Sequence, residues 1–301
     1  MTISEQDLAN SKQTNKAIFC FKIIMERSKP KVSTRRKVYR FAIVFTLIYS
    51  SVGIALYHLQ EKFLFHPESL PKDFQFKFNI PFKEVNIAMN ETDTLNLVQF
   101  FPPDSLPKGV VIYFHGNSAN LSHYVKYVSN FTKHGYEVWI PDYPTFGKTT
   151  GKLTEENIDN QAKEVYKLAH SKFPADSIIV YGKSLGSGVA SYIAAKEFCK
   201  RLILETPFYS IPSLLSHYAP IYPVNRMSHF KFPVGEYLED IKAPVTIFQG
   251  TNDETIPYNN AAKLKKVLKP GDEFITIENG THNNLNDSPL FHQKLDSLLN
   301  L

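Results

Sequence analysis

The sequence predicts an α/β fold, with a doubly wound, mostly parallel, eight-stranded sheet flanked by helices. Three observations carry this. Continuous apolar runs such as Gly109-Val-Val-Ile-Tyr-Phe-His115 and Gly135-Tyr-Glu-Val-Trp-Ile-Pro141 recur along the chain, and runs without polar alternation suit strands covered on both faces. Segments with apolar residues at steps of three and four lie between them, as crossover helices require. Finally, Gly182-Lys-Ser-Leu-Gly186 sits where the strand-like Ser177-Ile-Ile-Val-Tyr181 gives way to helical spacing over Ser187 to Phe198.

The elements follow in order. Residues 1–40 read as a basic, polar tail. They hold ten Lys/Arg against three Asp/Glu, whereas the rest of the chain holds 24 against 26, so the net charge of +5 belongs to the tail. Phe41 to Leu59 contains no carboxylate, lysine or arginine over nineteen residues, close to the length that crosses about 30 Å of hydrocarbon. Residues 41–59 are therefore expected to form a transmembrane signal-anchor helix. Lys29, Lys31, Arg35, Arg36, Lys37 and Arg40 precede it, and only Lys62, Lys72 and Lys77 occupy the twenty residues after it. That asymmetry predicts a cytoplasmic amino terminus and an extracytoplasmic catalytic region.

Residues 60–301 are read as that region. Phe63-Leu-Phe-His-Pro67 looks like a short lead-in, and extended segments follow around Lys83 to Met89 and Leu95 to Phe101. After the two apolar runs above, the strands are Ser177 to Tyr181, Arg201 to Glu205, Pro244 to Gln249 and Glu273 to Glu278. Helical spacing marks Leu121 to His134, Thr154 to Phe173 and Asn259 to Leu268. A short lid is expected at about 207–240. Its aromatics, Phe208, Tyr209, Tyr218, Tyr222, Phe230, Phe232 and Tyr237, could line an apolar pocket or serve as core contacts.

The glycine-framed serine carries the chemistry. A strand-to-helix turn tight enough to present a hydroxyl above the sheet edge leaves no room for side chains on its flanks. Ser184 is thus the candidate nucleophile. A serine hydroxyl needs a base to take its proton and an acid to orient that base. Asp253, in Gly250-Thr-Asn-Asp253, and His282, in Gly280-Thr-His282, each follow a strand, in the serine, aspartate, histidine order of this architecture. Asp253 could alternatively cap the segment starting near Pro257, and Glu205 is the rival acid. His115-Gly-Asn117 follows the third strand, where an oxyanion donor is needed. The donors would be the backbone N–H groups of Asn117 and Leu185, with His115 structural.

These residues together resemble the α/β-hydrolases, and more narrowly the membrane-anchored Bem46-like branch of serine hydrolases. The resemblance covers roughly residues 60 to 300. It rests on Phe63-Leu-Phe-His-Pro67 after an anchor, His115-Gly-Asn117, Asp142-Tyr143 with Gly147, Gly182-Lys-Ser-Leu-Gly186, Leu204-Glu-Thr-Pro207, Gly250-Thr-Asn-Asp253 with Ile256-Pro257, and Gly280-Thr-His282. It implies the α/β-hydrolase fold and a charge-relay triad of Ser184, Asp253 and His282. One departure stands out: such proteins usually have Asp-Tyr-Arg-Gly-Tyr-Gly where this chain has Asp142-Tyr-Pro-Thr-Phe-Gly147. An arginine and a glycine are lost there.

The expected function is cleavage of an ester or thioester through an acyl-enzyme, in the manner of a carboxylesterase or lipase. The substrate would be a small-molecule acyl ester or a lipid. The alternatives are a catalytically silent membrane-anchored scaffold, or an acyltransferase or peptidase using the same triad. No cofactor or metal is called for, and the basic tail is better explained by topology than by nucleic acid. Cys20 and Cys199 indicate neither a disulfide framework nor a metal knuckle.

Overall fold

The computed structural model describes residues 12–20, 22, 33–103 and 106–300. Most of the basic tail, including Lys29 and Lys31, lies outside the described residues. Helix α1 runs from Thr34 to Leu64. Its 31 residues rise about 46 Å, more than a hydrocarbon core requires. Among the described residues it is the one helix long and apolar enough to cross a membrane, and no residue of its apolar window is buried. Phe63 and Leu64 belong to its last turn rather than to a separate lead-in, and the chain turns extended only at Phe65. Residues before Leu56 form one compact unit and those from Leu56 onward another.

The second unit is built on eight strands: β1 Phe82–Ala88, β2 Thr94–Phe100, β3 Gly109–Phe114, β4 Tyr136–Pro141, β5 Ile178–Lys183, β6 Arg201–Glu205, β7 Val245–Gly250 and β8 Glu273–Ile277. Their spatial order is β1-β2-β4-β3-β5-β6-β7-β8. The β1–β2 and β2–β4 pairs are antiparallel and all the others parallel. The apolar runs owe their continuity to two cores. On β5, Ile178 and Val180 enter one core while Ile179 and Tyr181 enter the other, so neither face of the strand can be polar.

One core is roofed by α2 (Glu155–His170) and α3 (Gly186–Lys196), through Ile158, Ala162 and Val165 on the first and Val189, Ala190 and Ile193 on the second. Thr154 caps α2 by accepting from the Asn157 N–H. Between β6 and β7 the lid forms three short helices, α4 (Ile211–Tyr218), α5 (Val224–Met227) and α6 (Val234–Asp240). Helix α7 (Pro289–Asn300) covers the opposite core with Phe291, Leu295 and Leu298.

Two predicted helices take a tighter form. Leu121–Tyr127 is 3₁₀, followed by a single α turn at Ser129–Thr132, and Tyr258–Ala261 is likewise one α turn before the 3₁₀ segment Ala262–Lys266. Apolar spacing of three suits either helix, so periodicity alone could not separate them.

Candidate active site

The turn after β5 is as tight as its glycines suggest. A Cβ on Gly186 would lie 2.0 Å from the Phe114 carbonyl oxygen, and one on Gly182 would lie 2.4 Å from the Gly186 carbonyl oxygen. Side chains at either position would force α3 off β3 and β5. Ser184 itself has φ of +53°, a left-handed conformation that is uncommon outside glycine. Its N–H is held by the Glu205 carbonyl at 2.9 Å, and its carbonyl accepts from the Ser187 N–H and hydroxyl. The neighbouring strand and the first turn of α3 thus fix the strained residue.

The candidate acid and base follow adjacent strands. Gly250 ends β7 opposite Ile277 at the end of β8. A Cβ on Gly250 would lie 2.2 Å from the Gly280 carbonyl oxygen, so only glycine lets the two loops run in contact. Asn252 N–H donates to that same carbonyl at 2.9 Å. The loops bring Asp253 Oδ2 to 2.9 Å from His282 Nδ1, and His282 Nε2 to 2.9 Å from Ser184 Oγ. Ser184 and His282 are both buried, each 7% exposed.

Asp253 also acts as a cap. Its Oδ1 accepts from the Thr255 and Ile256 N–H groups, and Gln249 Nε2 donates to Oδ2. Capping and facing the histidine use the same carboxylate. Glu205 is occupied otherwise: Tyr181 and Lys183 donate to it at short range, and Asn286 Nδ2 reaches it at 3.3 Å. Burial and the Glu205 charge push the Tyr181 hydroxyl well above its usual pKa, so it stays protonated and donates.

On the other side of Ser184, a Cβ on Gly116 would lie 3.7 Å from the Ser184 Cβ, which places the loop after β3 against the nucleophile. Among the described residues, no protein acceptor takes the N–H of Asn117 or of Leu185. The rest of Asn117 is engaged. Its side-chain Nδ2 donates to the Leu64 carbonyl at 2.7 Å, and its own carbonyl accepts from His66 N–H at 2.8 Å. That short pairing, His66–Pro67 with Ser118–Ala119, ties the end of α1 to the loop after β3.

His115 is fully buried. Its Nε2 lies 3.1 Å from Asp142 Oδ1, and its carbonyl accepts from the Tyr143 hydroxyl. Burial pushes the Asp142 carboxyl up, opposed by His115 and the Leu121 N–H. In the loop where the sequence departs from the pattern it otherwise resembles, Thr145 has φ of +74°. Gly147 has φ of +51°, and a Cβ there would lie 2.0 Å from Asp142 Oδ2.

Sequence reasoning missed one feature and left another open. Lys183, inside the glycine frame, is 3% exposed and lies beneath the site. Of the seven lid aromatics, Phe208, Phe230 and Phe232 are buried core residues, while Tyr218 lines a cavity of about 420 Å³ together with Asn117 and residues of α1. Apolar character alone does not reveal which partner covers a side chain.

Comparison with known proteins agrees with the fold. Residues 109–228 match the α/β-hydrolase fold family. The chain is 26% identical over 238 residues to protein bem46 of Schizosaccharomyces pombe, covering 73% of this chain and 79% of that protein. It is 28% identical over 181 residues to ABHD12B of Homo sapiens, covering 53% of this chain and 50% of that protein. Among solved structures, an esterase of Pyrococcus furiosus superposes with a TM-score of 0.61 at 18% identity, over 78% of this chain and 97% of the esterase. Est1E from Butyrivibrio proteoclasticus superposes at 0.57 and 17% identity, over 72% of this chain and 97% of its own. With an eight-stranded sheet of this order and a family match over residues 109–228, the chain has the α/β-hydrolase fold and is similar in sequence to protein bem46.

Proposed function

We propose that this protein is a membrane-anchored serine hydrolase that cleaves an ester or thioester. The observation that carries the reading is the unbroken chain from Ser184 Oγ to His282 Nε2 at 2.9 Å and from His282 Nδ1 to Asp253 Oδ2 at 2.9 Å. A hydroxyl, an imidazole and a carboxylate in that order are what proton removal from a serine requires.

In this reading His282 takes the Ser184 proton as Oγ attacks the acyl carbonyl. The carbonyl oxygen becomes an oxyanion between the Asn117 and Leu185 N–H groups. The C–O or C–S bond to the leaving group breaks, and His282 Nε2 delivers the proton to that group. Water then attacks the acyl-serine, giving one proton to His282, which returns it to Ser184 as the carboxylic acid departs. Asp253 orients the ring throughout and steadies its charged form. These steps draw on the chain's own groups.

Residues 1–40 are proposed as a cytoplasmic tail, 41–59 as a single-pass span and 60–301 as an extracytoplasmic catalytic region, with a small-molecule acyl ester or lipid as substrate. The charge asymmetry around the apolar segment supports that orientation.

The test is fluorophosphonate labelling of the purified full chain beside Ser184→Ala and His282→Ala, followed by turnover of p-nitrophenyl esters. Labelling of the wild type alone supports the reading. A folded wild type that takes no label would point instead to a silent scaffold.

A further inference from the structure

The cavity beside Asn117 is walled partly by the helix that carries the apolar segment. Leu56 and Phe63 contribute from the last turns of α1, Leu215 from α4 and Met227 from α5. All of these belong to the compact unit that begins at Leu56. At about 420 Å³ the cavity falls in the range of about 300–1,000 Å³ that ligand pockets occupy. Eight of its thirteen lining residues are hydrocarbon or thioether side chains, and Gln60, Asn117, Tyr218, Ser228 and Thr255 are the polar points. Asn117 directly follows Gly116, which abuts Ser184, and Thr255 N–H is bonded to Asp253. The apolar space is therefore lined by residues of the same loops that contact Ser184 and Asp253.

Two sets of hydrogen bonds hold the helical wall in place. Asn117 Nδ2 caps the Leu64 carbonyl at 2.7 Å. Gln60, 5% exposed, donates through Nε2 to the Met227 carbonyl at 3.1 Å and accepts through Oε1 from the His229 N–H at 2.6 Å. The ring of Tyr57 packs edge-on against His229, with centroids 4.6 Å apart. The helix end is thus a fitted part of the site, joined to the oxyanion loop on one side and the lid on the other.

Resting on the hydrolase reading above, we propose that this cavity is the binding site for a long hydrocarbon chain of a membrane-resident ester, its acyl chain lying against α1. The commitment to a lipid chain comes from continuity. Leu56 is the wall residue and also lies within the apolar nineteen-residue segment, so a chain leaving hydrocarbon at that level meets the cavity without crossing water. A polar or compact acyl group would leave the apolar wall unfilled and gain little from it.

Two cavity-filling substitutions on different elements, Leu215→Trp and Met227→Trp, test the site in the full chain reconstituted in phosphatidylcholine vesicles. Each should lower the ratio of kcat/KM for p-nitrophenyl dodecanoate over butyrate at least tenfold. Folding is controlled by thermal unfolding of each variant. Independently of turnover, photolysis of a diazirine-bearing fatty acid with the Ser184→Ala chain in the same vesicles should place adducts on peptides covering residues 211–228, and Met227→Trp should abolish them. If the chain-length ratio stays unchanged in both folded variants, or if adducts fall only before residue 56, the cavity is not an acyl site. If the wild type hydrolyses no ester and takes no fluorophosphonate yet still gives the lid adducts, the hydrolase reading fails while the hydrocarbon site stands.

Discussion

Lys183 and Glu205 form a buried ion pair directly beneath the candidate nucleophile, with side chains 4% and 0% exposed. The pair joins β5 to β6 at the register Lys183↔Glu205, and Lys183 Nζ also lies 3.5 Å from the His282 carbonyl. Tyr181 completes the cluster on Glu205. Removing one partner leaves the other charge uncompensated in a low-dielectric site, which costs about 3–5 kcal/mol. Lys183→Met should therefore destabilise the protein by about that amount in chemical unfolding. The double variant Lys183→Met/Glu205→Leu should recover much of the loss. Additive single effects would show that the two charges are not coupled.

Asp253 and Glu205 are separable by what their loss does. In Asp253→Asn the amide oxygen can still accept from Thr255 and Ile256, so the turn survives. The amide NH₂, however, faces His282 Nδ1 as a donor and favours the wrong tautomer. Ester turnover should fall by about 10⁴ in kcat, the size seen when a Ser-His-Asp triad loses this charge, and the melting temperature should drop modestly because the new NH₂ also faces the Gln249 Nε2 donor. Near-normal turnover in a folded Asp253→Asn protein would remove Asp253 from the mechanism.

Asp159 gives the fold a pH dependence. It lies one turn after Glu155 on α2, and Glu155 accepts from the Lys231 and Phe232 N–H groups of the lid. Burial, with the Glu155 charge added, pushes the Asp159 carboxyl up to about 8. An unfolded aspartate titrates near 3.9, so between about pH 4 and pH 8 the folded chain holds a proton that the unfolded chain lacks. Stability contributed by this group is therefore present in acid and lost as pH rises through that window. Asp159→Asn should raise the melting temperature at pH 8 and leave it nearly unchanged at pH 4. An equal shift at both values would mean that ionisation of Asp159 is not the cause.

Much of this was legible in the sequence because geometry restricts composition most severely there. The strands announced themselves because β3 and β5 feed two cores at once, which removes polar alternation. The turn at Ser184 did so because Gly182 and Gly186 have backbone where a Cβ would go. Illegible were features set by partners distant in the chain. Nothing local to Gln60 says that it will grip Met227 and His229, and a hydropathy window registers that Leu56 is apolar without saying what covers it. Phe208, Phe230 and Phe232 illustrate the same limit, since an aromatic in a lid can serve the core or a pocket equally well.

Thr145 sits in a conformation that suits it poorly. With φ of +74° it is a β-branched residue in the left-handed region, and its hydroxyl, among the described residues, is buried without a partner. Such a conformation costs about 1–3 kcal/mol, partly offset by the roughly 0.5–1 kcal/mol that glycine loses in entropy on folding. The backbone bonds at this position, from Thr145 N–H to Thr149 and from Ser69 Oγ to the Thr145 carbonyl, need no side chain. Thr145→Gly should stabilise the protein by about 1 kcal/mol in urea unfolding. A loss of stability would mean that the threonine side chain supports the loop.

Gln60 is the one buried residue of α1, and its amide spans both sides of Ser228 in the lid. Once that amide is gone, the carbonyl of half-buried Met227 and the N–H of exposed His229 lose their protein partner and turn to water. A lost intramolecular hydrogen bond of this kind costs about 0.5–1.5 kcal/mol. Gln60→Ala should therefore loosen the segment between α5 and Phe230 more than it lowers global stability, because both lost bonds hold that one segment. Hydrogen exchange read by mass spectrometry should show faster exchange in peptides containing His229, with those from β5 and β7 unchanged. Unaltered protection at His229 would mean that the lid holds its shape without the helix, and that the wall of the cavity is supported from the lid side alone.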